Sequence, residues 1–129
     1  MAAALEAYVS AVNRHDVEAM LALRHPDAHL EIMGVAEPVV GIEALRAYYE
    51  SAFSTATPDY ILEIEGSAFG PDVASVWGRF RATLNAGGDA AYEVEAPVAF
   101  VCTFRDGLFC GDSMYFNAAR LLPPERSDG

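Results

Sequence analysis

The sequence predicts an α+β fold in which a curved, mostly antiparallel sheet closes around N-terminal helices. Three observations carry that expectation. Apolar residues recur at helical spacing in the first part of the chain, they alternate with polar ones from Tyr60 onward, and Asp106-Gly107 separates two of the alternating runs. Helices first and hairpin-linked strands after is the α+β order. Helices of that number cannot cover both faces of a sheet, so the economical arrangement is a sheet that curves around them and leaves a cavity between.

The first helix spans about residues 2–13, where Leu5, Tyr8, Val9 and Val12 follow the i, i+3, i+4, i+7 spacing of one buried face. Asp16 has the chemistry of an N-cap for a short second helix with Val17, Met20 and Leu21 inward. His25-Pro26-Asp27 ends that helix, because proline disfavours helical geometry in the residue before it. AHLEIMG then reads as a short strand or extended arm, and VAEPVVG as a loop. A third helix starts near Gly41, carries Ile42, Leu45, Tyr49, Ala52 and Phe53 on one stripe, and stops before Pro58.

The remainder alternates. YILEIEGSAFG ends in a Gly-Pro-Asp turn, and DVASVWGRFRATLN sets Val76, Phe80, Ala82 and Leu84 against Ser75, Trp77, Arg79 and Arg81. NAGGDAA is a turn, after which Val94, Ala96, Val98, Phe100, Cys102 and Phe104 share one face. Asp106-Gly107 suits the positive φ angles of a tight hairpin, and the last strand runs from about Leu108 to Phe116. The whole reads as one domain over residues 1–122 with a polar, proline-led tail over 123–129.

Composition narrows the function. A chain of 129 residues buries roughly two-thirds of its unfolded surface, enough for a true core, and 53% apolar against 21% charged residues marks a globular protein. Net charge is −11 and there is no lysine, which argues against nucleic acid and anionic membrane as partners, since both need clustered cations. No apolar run reaches the ~20 residues of a membrane span, and the first residues read as an amphipathic helix, not a signal peptide; a cytoplasmic location is the expectation. Cys102 and Cys110 flank a tight turn and read as free thiols. His15, His25 and His29 match no ligand spacing, so no metal is expected.

The phrases AYVSAVNRHDVEAMLAL, GIEALRAYYESAF, SVWGRF, FRDGLF and MYFNAARLL, in that order over about residues 4–122, resemble the SnoaL-like branch of the nuclear-transport-factor-2-like superfamily. That superfamily includes polyketide cyclases, ketosteroid isomerases and limonene epoxide hydrolases. The resemblance implies a cone-shaped barrel with a dry apolar pocket, and a homodimer formed through the outer sheet face. It also implies that Phe116 packs inward, which turns Met114 and Asp112 inward and Tyr115 and Asn117 outward. Because a two-residue turn pairs Phe104 with Phe109, a bulge between Phe109 and Asp112 has to switch the face. The position of the hydrolase carboxylate is then Met114. Of the isomerase constellation, the base falls near Ile32 and the supporting acid near Phe100, and only the oxyanion tyrosine has a counterpart, Tyr8.

These positions leave Asp112 as the leading candidate for general acid or base, since a carboxyl facing an apolar cone has a raised pKa. Tyr8 is the second catalytic candidate, as a hydrogen-bond donor to a developing enolate. Met33, Tyr49, Trp77, Phe80, Phe100, Met114 and Phe116 are the expected apolar contacts of a ligand, although Trp77 reaches the pocket only if its strand's register is the reverse, and beside Arg79 and Arg81 it better suits a subunit contact. Asn117 reads as the cap of a short C-terminal helix. The expected function is cofactor-free proton-transfer chemistry on an apolar, polyketide- or terpenoid-like intermediate; the alternative is a non-catalytic module that holds a hydrophobic small molecule.

Overall fold

A computed structural model describes residues 2–33, 37–84 and 91–121; the expected turn at NAGGDAA falls almost entirely, and the tail wholly, outside the described residues. The three helices follow the apolar spacing closely. Helix α1 (Ala2–Arg14) buries Leu5, Tyr8, Ala11 and Val12. It ends where His15 turns left-handed at φ 57° and donates its N–H to the Val12 carbonyl. Helix α2 (Val17–Ala22) is capped as its sequence implies, the Asp16 carboxylate accepting the Ala19 N–H at 3.1 Å. Helix α3 (Ile42–Ser51) buries Leu45 and Tyr49. It then loosens into one π turn, Ala52–Ala56, closed by Thr57 N–H donating to the Ala52 carbonyl at 2.7 Å. Pro58 brings no N–H to carry the ladder further.

The sheet has six strands: β1 (Arg24–Ile32), β2 (Val39–Val40), β3 (Ile61–Gly70), β4 (Val73–Leu84), β5 (Tyr92–Arg105) and β6 (Leu108–Tyr115). Their order is β2-β1-β6-β5-β4-β3, antiparallel throughout except between β1 and β6. Two local expectations need correcting. The segment read as a short arm is a nine-residue strand that begins at Arg24, four residues earlier, and the segment read as a loop supplies β2. The β1–β6 register breaks between Arg24 and His29, across Pro26, which cannot donate to a ladder. Arg24 therefore pairs with Phe109 at the hairpin end, while His29 to Ile32 pair with Gly111 to Met114.

The hairpin phase is as expected. Asp106 and Gly107 both take positive φ, 55° and 78°, and pair Phe104 with Phe109. Thr103 then pairs with Gly111, so Cys110 is the extra residue of a bulge. That one residue turns Phe109 and Asp112 to the same, buried side. Opposite them lie the inward residues of β4 and β5, with Val76, Phe80, Ala82, Val94, Ala96, Val98, Cys102 and Phe104 all buried. Helices and sheet are laced at the far edge: the Asn13 side-chain amide donates to the Leu62 carbonyl at 2.9 Å and its oxygen accepts the Leu62 N–H at 2.8 Å. Among the described residues no helix is long and apolar enough to cross a membrane.

Asn117 follows β6 and its side-chain oxygen accepts the Ala119 N–H at 3.0 Å, capping the short 3₁₀ turn Ala118–Leu121. Its side is exposed. We expect Asn117→Asp to leave stability unchanged and Asn117→Ala to lower it by about 1 kcal/mol or less in urea titration; a loss of several kcal/mol would rule out a mere cap.

Candidate functional site

Between the helices and the sheet lies a cavity of about 220 Å³, walled almost wholly by apolar side chains. Tyr8 reaches it from α1, Tyr49 from α3, Phe80 from β4, Phe100 from β5, and Asp112 and Met114 from β6, with Phe116 just beyond. Phe80 and Phe116 meet edge to face at 5.4 Å. The π turn contributes Ala52 and Phe53, an irregularity of the kind that recurs at functional sites. Two expected contacts lie elsewhere. Met33 follows Ile32 out of phase, so Ile32 lines the cavity while Met33 is 39% exposed. Trp77 alternates outward between Val76 and Gly78 and is 45% exposed. It lies over Gly66, where a Cβ would come within 2.4 Å of the indole, so only glycine admits that packing.

The polar floor is built around a residue that sequence reading missed. Arg24 starts β1 and has a fully buried side chain. Its Nη2 donates to three oxygens: Tyr8 Oη at 2.5 Å, Tyr49 Oη at 2.8 Å and Asp112 Oδ2 at 3.0 Å. The two phenol oxygens share a further hydrogen bond of 2.8 Å, and the guanidinium carbon sits 5.0 Å from the Tyr8 ring centre and 5.8 Å from that of Tyr49. The Cys102 thiol points to Asp112 Oδ1 at 3.8 Å. Four elements thus meet at one nitrogen, and two helices and two strands are locked in phase by it. Arg24 Nε and Nη1 are buried with no hydrogen-bond partner among the described residues.

Charge and burial compete in this group. Burial pushes the Asp112 carboxyl above its ordinary value; Arg24 and the Cys102 thiol pull it back only in part. Burial likewise raises Tyr8 and lifts Tyr49 further, so both phenols keep their protons at neutral pH. For Arg24 burial works against the charge, but the oxygens of Tyr8, Tyr49 and Asp112 outweigh it and hold the pKa well above the ordinary guanidinium value. Cys102 is pushed far up by burial and then by Asp112, leaving an inert thiol. The floor therefore presents two neutral phenols and one carboxyl to the cavity, with the fixed cation of Arg24 behind them, which is a proton-exchange group with hydrogen-bond donors beside it.

The family model for the SnoaL-like domain matches residues 5–111. No curated protein matches the chain. Among solved structures, a protein with a ketosteroid isomerase-like fold from Catenulispora acidiphila DSM 44928, in complex with trimethylamine, is similar at TM-score 0.79 and 13% identity, over 92% of this chain and 88% of that one. A candidate SnoaL-like polyketide cyclase from Jannaschia sp. CCS1 is similar at TM-score 0.76 and 14% identity, over 92% and 88%. TerC co-crystallised with polyporic acid is similar at TM-score 0.77 and 17% identity, over 92% of each chain. At such identities the likeness is one of fold.

Proposed function

Given that this chain belongs to the SnoaL-like domain family of the nuclear-transport-factor-2-like superfamily, we propose that it is a small enzyme that moves protons on an apolar carbonyl compound by means of Asp112. The observation that carries this reading is the position of Asp112: among the described residues it is the one charged side chain lining the cavity. Asp112 removes a proton from the carbon beside a carbonyl, while the Tyr8 hydroxyl donates to the carbonyl oxygen as negative charge develops there. Return of the proton elsewhere on the skeleton gives isomerisation. Attack of the enolate on a second carbonyl, with Asp112 returning its proton to the new alkoxide, gives cyclisation. Removal of a second α proton by Asp112, as hydroxide departs and takes that proton to leave as water, gives dehydration. None of these steps calls for a redox or metal group.

Cavity volume bounds the substrate. An apolar cavity of about 150 Å³ holds a benzene-sized molecule, so about 220 Å³ suits one or two rings of a polyketide- or terpenoid-like intermediate. Two proteins of the same fold, one in complex with trimethylamine and one co-crystallised with polyporic acid, support small-ligand binding by this fold. The direct test is deuterium exchange from solvent into the α position of one- and two-ring ketones, followed by NMR. Catalysed exchange is the expected result; none across a panel that binds would count against the reading.

One observation favours a second reading, a binding module for a hydrophobic molecule. The floor groups already bond to one another through Arg24, as a satisfied pocket base would. Native mass spectrometry decides: a co-purifying apolar ligand with no exchange activity supports the module.

Assembly is proposed on the outer sheet face. Trp77, Ala99 and Tyr115 form one cross-strand row there, with Trp77 45% and Tyr115 44% exposed around the small Ala99. Exposed aromatics with Arg79 alongside are the composition of interface cores. We expect a homodimer by light scattering and a monomer for Trp77→Glu; a wild-type monomer at micromolar concentration would sink the interface.

A further inference from the structure

The floor holds more positive charge and more donors than its internal bonds consume. Arg24 carries five N–H donors, yet only Nη2 is engaged, while Nε and Nη1 are buried without partners among the described residues. Of the two phenol protons, one is spent in the Tyr8–Tyr49 bond and the other is uncommitted among the described hydrogen bonds. Asp112 balances Arg24 only while ionised. Once protonated, it leaves a net positive floor, and no second carboxylate lines the cavity among the described residues. The uncommitted phenol proton and the carboxyl proton would then both serve an oxygen in the cavity, since Tyr8, Tyr49 and Asp112 all line it.

We propose that the pocket takes acidic apolar molecules of one or two rings, such as phenols, stable enols and aryl carboxylic acids, as their anions, with the proton held on Asp112 and Arg24 as the buried counter-charge. When the neutral acid enters, its O–H bond breaks, the electron pair stays on the ligand oxygen and the proton passes to Asp112. When the anion enters, the proton on Asp112 comes from solvent. The inference rests on the same pocket and the same proton as the proposed reaction, but it is a binding property and needs no turnover. Burial of the carboxyl favours it, because a desolvated acid holds its proton readily. The groups that act on Asp112 are Arg24 and His29 from β1, Tyr8 from α1, Tyr49 from α3, Tyr60 from the segment before β3 and Cys102 from β5. A positive charge on His29, like that on Arg24, opposes proton uptake by Asp112.

Dinitrophenol, which is ionised over the working range, and the neutral methyl ether dinitroanisole are the probes. Titration of the wild-type protein by calorimetry in two buffers of different ionisation enthalpy should show uptake of close to one proton per dinitrophenolate bound. Affinity should rise by about tenfold for each unit of pH lowered between about pH 8 and the titration of Asp112, whereas dinitroanisole should bind independently of pH. Asp112→Asn imitates the protonated acid; it should bind the anion at least about tenfold tighter than wild type at pH 8 and lose the pH dependence. Anion affinity that does not change with pH, with no proton uptake, overturns the proposal, and the wild-type measurement alone decides should the variant fail to fold. Proton uptake without ketone exchange would remove the proposed reaction and leave the anion site; Asp112-dependent exchange without proton uptake would do the reverse.

Discussion

Asp112→Asn should lower turnover of an enolisable ketone by about 10²–10⁴-fold, the range that a positioned general base supplies. Circular dichroism would verify that the variant is folded, and an unchanged exchange rate would end the assignment of Asp112 as base. The pH profile gives a second readout. A base works ionised, so wild-type kcat/KM should climb with pH through a carboxyl value raised by burial, and the residual rate of the variant should lack that limb. The same shift has a cost in stability. A raised folded-state pKa contributes stability that is complete below the unfolded value, about 3.9, and is lost as pH rises through the folded value. The protein should therefore gain activity over the window in which this carboxyl ceases to help the fold.

Arg24→Met should destabilise the protein by about 3–5 kcal/mol, because removing one partner of a buried ion pair strands the other. Here it strands more than Asp112: the phenol oxygens of Tyr8 and Tyr49 also lose their donor. Joining Arg24→Met to Asp112→Leu should recover much of the loss, since a buried pair can often be exchanged for apolar side chains of similar volume. Urea unfolding of the single and double variants measures the coupling. A single-variant loss under about 1 kcal/mol would mean that Arg24 does not hold the floor together.

The fold was legible wherever one period ran uninterrupted. Helical spacing placed Leu5, Tyr8, Val12, Leu45 and Tyr49 on buried faces, and alternation placed every inward residue of β5 from Val94 to Phe104. Asp112 was legible only through the family resemblance, which sets Phe116 and with it Asp112 inward; the Asp-Gly turn pairs Phe104 with Phe109, and the extra residue that reconciles the two is found at Cys110. Arg24 was not. It stands at the junction of a helix and a strand, where neither period applies, and an arginine after LAL reads as the solvated end of a helix. Its burial is decided by partners 16, 25 and 88 residues away, and no local pattern carries such contacts. Tyr8 and Tyr49 were each placed inward, but their meeting across 41 residues was equally invisible. Met33 as a ligand contact rests on residue type, and strand phase sends it outward; Trp77 lies on the face opposite Val76 and Phe80, as the alternation implies, and a pocket role for it would need the reverse register.

The Asn13 amide on the backbone of Leu62 bears on how the protein behaves at high concentration. β3 is an outer strand of the sheet, and an outer strand invites a foreign strand to add to it. Asn13 imitates such a strand for one residue, taking the N–H and C=O of Leu62. The register shift between Ile64 and Gly66 interrupts the run that follows. At the opposite border β2 ends after two residues. Both borders are thus poor templates for fibrillar growth, and the net charge of −11 adds mutual repulsion. Such borders disfavour amyloid-like stacking when the protein is crowded.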